Sequence, residues 1–328
     1  MIATAERPPV WFERAIVPEL VDEVATAVTI LGPSTPGDLY AGLAWARAAV
    51  ASTMRYDAEL MDRAPGLRLI ARTGIGYDLV DVAEATRRGI AVCNTPDAPT
   101  ISTAEHAVSL MLMVAKGIKR AESRLRQGSG DYYAKQQAIE VEGKVLGLVG
   151  CGRIARHVAT ICAAMGMRVT AHDPFLPEAA FPLGVRPVAT LEQLLRTADV
   201  VSVHVPLSDG TRHLFGAEQF RSMKRGAVFV NTARGGLVDS DALLAALAAG
   251  HLFGAGLDVT EPEPLPIDHP LLGRDDVVVT PHVASATSDA KVRIFRAAFE
   301  QVVDGLGGRR PAYLVNPEVW AAPTSTKG

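Results

Sequence analysis

Val145-Leu-Gly-Leu-Val-Gly150-Cys-Gly152-Arg-Ile-Ala155, followed by Asp173, is the stretch that decides the fold. The apolar, partly β-branched run Val145–Val149 reads as a buried strand. The glycines then mark a tight turn, and a helix opens directly after it. Gly150 permits the turn. Gly152 has no Cβ, so a pyrophosphate can approach the backbone there. The amides opening the next helix can then bind that anion. Asp173 follows a second short strand, Arg168-Val-Thr-Ala-His172, where an acid would accept hydrogen bonds from an adenosine ribose. Ala155 stands in place of the third glycine. An acid at the ribose position, with no Lys or Arg between His172 and Ala180, favours NAD over NADP.

A chain of 328 residues suggests two domains, each able to bury a core. Hydrophobic content of 48% and charged content of 21% fit a globular protein, and a net charge of −3 argues against a general nucleic-acid binder. No apolar run reaches the roughly 18 residues that span a membrane. Met1–Pro9 has an acid and prolines where a signal peptide needs an apolar core. Cys93, Cys151 and Cys162 form neither a disulfide framework nor a CxxC pair, and no metal site is expected. A reducing cytoplasm is the simplest expectation.

The first hundred or so residues alternate helical and strand-like segments. Strands are expected at Ala48–Ala51, Leu67–Ala71 and Ile90–Cys93, and helices at Ala58–Ala64 and Val82–Arg88. After Asn94-Thr-Pro-Asp-Ala-Pro99 one long helix is expected from Ile101 to Arg126, capped by Thr100 or Ser102. Its wide apolar face (Ala107, Leu110, Met111, Val114) suits a domain junction or a subunit interface. From Gly143 the alternation restarts. Strands are expected at Val145–Val149, Val169–His172, Val200–Val205, Ala227–Val230, Ala255–Leu257 and Val277–Val279, most of them separated by helices. That pattern is an α/β fold with a doubly wound parallel sheet. A helix from Ser288 to Leu306 follows, and Ala321–Gly328 reads as a disordered tail.

Three strand ends carry unusual polar residues: Phe229-Val-Asn-Thr-Ala-Arg234, Gly256-Leu-Asp258-Val-Thr-Glu261-Pro-Glu263-Pro264 and Val279-Thr-Pro-His282. Open α/β sheets bind ligands beyond the carboxyl ends of their strands. An Arg, a Glu and a His placed there make an acid–base and anion site.

In these motifs the chain resembles the D-2-hydroxyacid dehydrogenases, from about Ala48 to Asn316. The matching segments are Arg72-Thr-Gly-Ile-Gly-Tyr-Asp78, Val92–Pro96, Ala104-Glu-His106, the nucleotide turn, Val203-His-Val-Pro-Leu207 with Thr211, Asn231–Gly235, Asp258 with Glu263-Pro264, and Thr280-Pro-His282. The resemblance implies two Rossmann-like or flavodoxin-like domains with a cleft between them. Residues 1–98 plus 287–328 would form a substrate domain and 99–286 an inserted NAD domain. It implies His282 as the acid–base, Glu263 bonded to its other ring nitrogen, and Arg234 gripping the substrate carboxylate. Glu261 is the competing acid, and the position directly before the later proline selects Glu263.

On the cofactor side, Arg153 and Ile154 would meet the pyrophosphate and Asp173 the ribose. His204, Pro206 and Thr211 would lie near the adenosine and pyrophosphate. Thr232, Ala233 and Asp258 would face the nicotinamide. Gly74, Ile75 and Gly76 would hold the substrate carboxylate by backbone amides, and Ser52 and Met54 would shape the substrate site. Phosphoglycerate-oxidising members carry an Arg-Ser pair where this chain has Ala51-Ser52, which favours a small unphosphorylated 2-oxo acid. The family often has Asn where this chain has Leu79, read as a local packing change. A homodimer is implied. Two other readings fit the same residues: an NAD-sensing corepressor, disfavoured by short tails, and a phosphite-type dehydrogenase.

Overall fold

The computed structural model describes residues 7–320. Met1–Glu6 and the tail Ala321–Gly328, the latter expected to be disordered, lie outside the described residues. By internal contacts the chain falls into two compact units, one of the described residues up to Pro99 and from Thr287 onward, the other Thr100–Ala286.

The first unit contains β1 (Pro9–Phe12), α1 (Val21–Ala27), β2 (Thr29–Leu31), β3 (Ala48–Ala51), α2 (Ala58–Asp62), β4 (Leu69–Arg72), α3 (Val82–Arg87) and β5 (Ala91–Cys93). Its sheet is parallel throughout, in the order β2-β1-β3-β4-β5. Strand alternation sends neighbouring side chains to opposite faces. Val10 and Phe12 therefore join a core with Val24, Phe295 and Phe299, while Trp11 joins another with Tyr56, Leu60 and Ile70. β1 and β2 escape the reading of the sequence. β2 is a three-residue edge strand with two exposed positions, so it shows no apolar periodicity.

The second unit opens with α4 (Thr100–Ala115), α5 (Ile118–Arg126) and α6 (Tyr132–Lys135). It continues with β6 (Val145–Val149), α7 (Arg153–Ala164), β7 (Arg168–His172), β8 (Val185–Pro187), α8 (Leu191–Thr197), β9 (Val200–Val203) and α9 (Ala217–Ser222). β10 (Ala227–Asn231), α10 (Ser240–Ala248), β11 (Leu252–Leu257) and β12 (Val277–Val279) complete it. The seven strands are parallel, in the order β12-β11-β10-β9-β6-β7-β8. The order reverses between β6 and β9, the switch point where doubly wound sheets bind ligands. α11 (Ser288–Leu306) returns the chain to the first unit, its N-terminus capped by Thr287 Oγ1 accepting from the Ala290 amide at 3.1 Å.

The single helix expected over Ile101–Arg126 is two helices. Gly117 adopts φ +60° and redirects the chain between them, a conformation that costs a glycine little. Thr100 and Ser102, the two capping candidates, both lie within the first turn of α4. The face of Ala107, Leu110, Met111 and Val114 is also reassigned. It is buried in a core shared with Leu146, Val158, Val228 and Val230, so it serves this unit's own sheet and not a partner. Two glycines of β11 allow that fit. A Cβ on Gly256 would lie 2.8 Å from Leu110 Cβ, and one on Gly254 would lie 2.7 Å from Val114 Cγ1. Gly256→Val forces helix and sheet apart and is expected to cost about 1–3 kcal/mol. A lower urea midpoint, compared with Gly210→Ala as control, where a Cβ makes only an ordinary contact at 3.9 Å, is the measurement.

Candidate active site

Five consecutive strands of the second sheet end in the residues singled out above: β6 before Gly150, β9 before His204, β10 before Thr232, β11 before Asp258 and β12 before Thr280 and His282. Parallel pairing brings these carboxyl ends to one edge.

At the switch point Gly150 has φ +88°, and a Cβ there would meet His204 O at 2.8 Å and Val205 Cγ1 at 2.9 Å. A side chain is excluded twice, by conformation and by space. Gly152 is the N-cap of α7, and a Cβ added to it would meet nothing within 4 Å. The first turn of α7 carries no acid, and the positive end of the helix dipole faces that open space. Arg153 is exposed and Ile154 half-buried beside it. Asp173 closes the turn: Oδ2 accepts from the Cys151 amide at 2.9 Å and Oδ1 from the Phe175 amide at 3.1 Å. Thr211 holds its own loop, donating to Pro206 O at 2.7 Å while accepting from the Ser208 amide at 2.8 Å. Thr232 Oγ1 is buried and makes no hydrogen bond among the described residues. A buried hydroxyl ordinarily has a partner, so this one fits a polar ligand group. These observations suit a dinucleotide: glycine backbone and helix amides for the pyrophosphate, an acid for the ribose, and an unmet hydroxyl farther along the edge.

His204 Nε2 lies 2.9 Å from Ser202 Oγ, and burial of its ring lowers its pKa to about 4. It is neutral at pH 7.

Asn231 ends β10 and is fully buried. Its Oδ1 accepts from the Ala233 amide at 2.9 Å and its Nδ2 donates to Arg234 O at 2.8 Å. One side chain therefore fixes the backbone on both sides of Ala233. Half-buried Arg234 bonds to Ala233 O through Nη1 at 2.7 Å.

Asp258, 1% exposed, organises the neighbouring loop. Its Oδ1 accepts from Thr280 Oγ1 at 2.6 Å and the Val283 amide at 2.9 Å, and its Oδ2 from the Ala284 amide at 2.9 Å. His106 on α4 reaches the same pair, with Nε2 2.9 Å from Thr280 Oγ1 and 3.3 Å from Asp258 Oδ1. Burial opposes the charge on Asp258, but the hydrogen bonds from His106, Thr280 and the two amides outweigh it. The carboxyl is held below its ordinary range.

His282 sits inside this loop with φ +54°, the left-handed region that a non-glycine residue seldom occupies. Its amide donates to Asp258 O at 2.7 Å. Its Nδ1 lies 2.5 Å from Glu263 Oε1. A carboxylate only accepts, so Nδ1 carries the hydrogen in the neutral ring and Nε2 is the nitrogen left to exchange a proton. Nε2 makes no hydrogen bond among the described residues. Glu261 is engaged elsewhere, with Oε1 2.7 Å from Arg212 Nη2 and Oε2 3.2 Å from His213 Nε2. The Arg212 hydrogen bond leads in lowering its pKa. The two acids two residues apart thus have separate partners, and only Glu263 meets His282.

Ser52, Met54 and Gly74–Gly76 belong to the first unit. Gly74 has φ +139°, its amide donates to Thr95 Oγ1 at 2.8 Å, and Ile75 at the loop's tip is exposed. Three residues absent from the expected site are built into it: His106, Asn231 and Thr280. His106 stood in a quoted motif, but its role needs α4 to lie over the ends of β11 and β12.

The family model for the D-isomer specific 2-hydroxyacid dehydrogenase, NAD binding domain, matches residues 108–284. The chain is 39% identical over 327 residues to a glyoxylate reductase of Aeropyrum pernix, covering 96% of this chain and 97% of that protein. It is 43% identical over 268 residues to a D-3-phosphoglycerate dehydrogenase of Archaeoglobus fulgidus, covering 81% of this chain but 50% of that protein, so it spans half that relative's length. The crystal structure of TT0316 protein from Thermus thermophilus superimposes with a TM-score of 0.86 at 39% identity, covering 94% of this chain and 99% of that one. Fold and fingerprint define a nicotinamide-nucleotide-dependent oxidoreductase with two parallel-sheet α/β domains. The chain belongs to the D-isomer specific 2-hydroxyacid dehydrogenase family, and NAD is the cofactor of its matched domain.

The His204 shift sets a sign for acid stability. Between pH 6.5 and about 4 the unfolded chain binds a proton on this ring that the folded chain refuses, so stability falls as pH drops through that window. Asp258, with its carboxyl held below 3.8, adds its loss only at lower pH. The expected result is a smaller fall in Tm between pH 6.5 and 4.5 for His204→Gln than for wild type. An equal fall in the two proteins would contradict it.

Proposed function

We propose that the protein is an NAD-dependent reductase of small unphosphorylated 2-oxo acids, interconverting them with D-2-hydroxy acids. The observation that carries this reading is the His282–Glu263 pair at 2.5 Å, its outer nitrogen unbonded among the described residues, on the sheet edge that holds the dinucleotide fingerprint. Bound NADH supplies the hydride that C2 of the substrate receives. His282 gives the proton from Nε2 to the carbonyl oxygen, completing the hydroxyl, and takes it back in the reverse direction. Glu263 keeps the ring in the required tautomer and offsets the positive charge of the imidazolium. Arg234, its backbone fixed by Asn231, grips the substrate carboxylate with its planar fork. For the first unit, the family resemblance supports a role for the amides of Ile75 and Gly76 in holding a substrate carboxylate and for Ser52 and Met54 in shaping the substrate site. Asp173 would receive the ribose hydroxyls of the bound dinucleotide, Thr232 and Ala233 would face its nicotinamide, and Asp258 would serve its carboxamide. Ala51 stands where a phosphate-binding Arg would be needed, which supports an unphosphorylated substrate.

A homodimer belongs to the same reading. Its contact would use the outward residues Ile101, Met113, Ile118 and Leu125, which are exposed, and not the buried face of α4. No helix among the described residues is long and apolar enough to cross a membrane, and all three cysteines are free and buried. A cytoplasmic location fits those free thiols.

The test is NADH consumption with a panel of 2-oxo acids that includes glyoxylate, hydroxypyruvate, pyruvate and phenylpyruvate. Turnover on at least one is expected. His282→Ala should lower kcat by roughly 10²–10⁴-fold. Failure of the wild type on the whole panel, or full activity in His282→Ala, would sink the reading.

Asp173→Ala should raise the KM for NADH about tenfold, the cost of one charge-assisted hydrogen bond, and narrow the preference over NADPH. An unchanged ratio of NADH to NADPH efficiency would remove Asp173 from the ribose.

A further inference from the structure

The first unit buries one acid almost completely. β1 ends at Phe12 and delivers Glu13 beside β3, where its amide donates to Val50 O at 3.1 Å. Glu13 is 3% exposed. Its carboxylate gathers three successive backbone amides: Ser52 N to Oε2 at 2.5 Å, Thr53 N to Oε1 at 2.5 Å and Met54 N to Oε1 at 3.0 Å. Thr53 Oγ1 donates to Oε1 at 3.1 Å and the buried Tyr56 hydroxyl to Oε2 at 3.4 Å. Burial first, and then Glu13, keeps that phenol protonated far above its ordinary range, as its donor role requires. Consecutive amides aimed at one point form an anion-binding nest, and here the chain fills its own nest.

We propose that Glu13 is a specificity-determining positioning residue: by gathering the Ser52–Met54 amides it fixes the shape of that segment and places a negative charge behind it. The chain then favours 2-oxo acids whose far end is uncharged and disfavours those bearing a second anionic group. This rests on the proposed role of Ser52 and Met54 in the substrate site. Two physical effects act together. The amides bound to Glu13 cannot be offered to a second carboxylate or phosphate. In addition, a charge in a partly desolvated setting repels another of the same sign more strongly than it would in water. Neither effect touches the reacting atoms, so binding of the substrate should change while the chemical step does not.

The experiment compares wild type, Glu13→Gln and Thr53→Val, using hydroxypyruvate as the probe with a neutral tail and oxaloacetate as the probe with a second carboxylate. In Glu13→Gln the KM for hydroxypyruvate should rise about tenfold, the loss expected when buried amides lose a charged acceptor, with kcat and the KM for NADH nearly unchanged. The hydroxypyruvate-to-oxaloacetate ratio of kcat/KM should fall by about the same factor. Thr53→Val, which removes one part-buried hydrogen bond to the carboxylate, should move the ratio the same way by a smaller amount, and it keeps the test alive if Glu13→Gln does not fold. Amide hydrogen exchange over residues 52–54 should quicken in the variant. An unchanged ratio in folded variants, or an equal loss in kcat and in NADH binding, would overturn the proposal. Wild type inactive on every 2-oxo acid would overturn the functional reading and the selectivity with it. In that case unchanged exchange in Glu13→Gln would also overturn the positioning role.

Discussion

The second unit is organised around one buried carboxylate. Asp258 stands at the end of β11 with almost no exposure, and its charge is supportable only because Thr280, His106 and the amides of Val283 and Ala284 all donate to it. A buried charge without such donors would neutralise or drive the loop open. Those donors are on α4 and on the chain after β12, so satisfying the acid folds the segment that carries His282. The left-handed backbone of His282 persists because its own amide is bonded to Asp258 O. Strain at that residue is held by the surrounding network, as expected where a side chain must be aimed.

A second side chain does comparable work one strand away. Asn231 accepts from Ala233 and donates to Arg234 O, so the loop after β10 is set by a side chain mimicking backbone pairing. Gly235 shows how close the packing is. A Cβ there would lie 2.0 Å from the Thr260 carbonyl, so the Arg234 loop and the loop leading to Glu263 can touch only through a bare backbone. The guanidinium and the Glu263 carboxylate are thus delivered by two loops that meet where a side chain is missing, and His282 comes from a third loop, after β12.

Much of this was legible along the chain. The alternation of apolar strands with helices pointed to the doubly wound sheet, because parallel strands buried on both faces read as continuous apolar runs. The glycine turn, Asp173 and the order of Arg234, Glu263 and His282 were visible because each lies in the segment that follows a strand. Less legible were the short edge strands β2 and β8, three residues each and largely unburied, too short to show a period. The break at Gly117 was hidden by apolar residues on both sides of it. The buried face of α4 was seen correctly as apolar but assigned to the wrong partner, since periodicity shows that a face is covered and not by what.

The sequence by itself determined the fold class, the dinucleotide turn and the residue types available for acid–base chemistry, because these depend on local periodicity and on conformations that only glycine accepts cheaply. Tertiary structure alone decided the pairings. Glu261 and Glu263 differ by two positions in the chain, yet one meets Arg212 and His213 and the other meets His282. Glu13 meets amides 39 to 41 residues away in sequence. Such choices follow from parallel register, which sets unrelated strand ends side by side. They also follow from the cost of burying a charge unmet, which forces each acid onto the donors that register supplies.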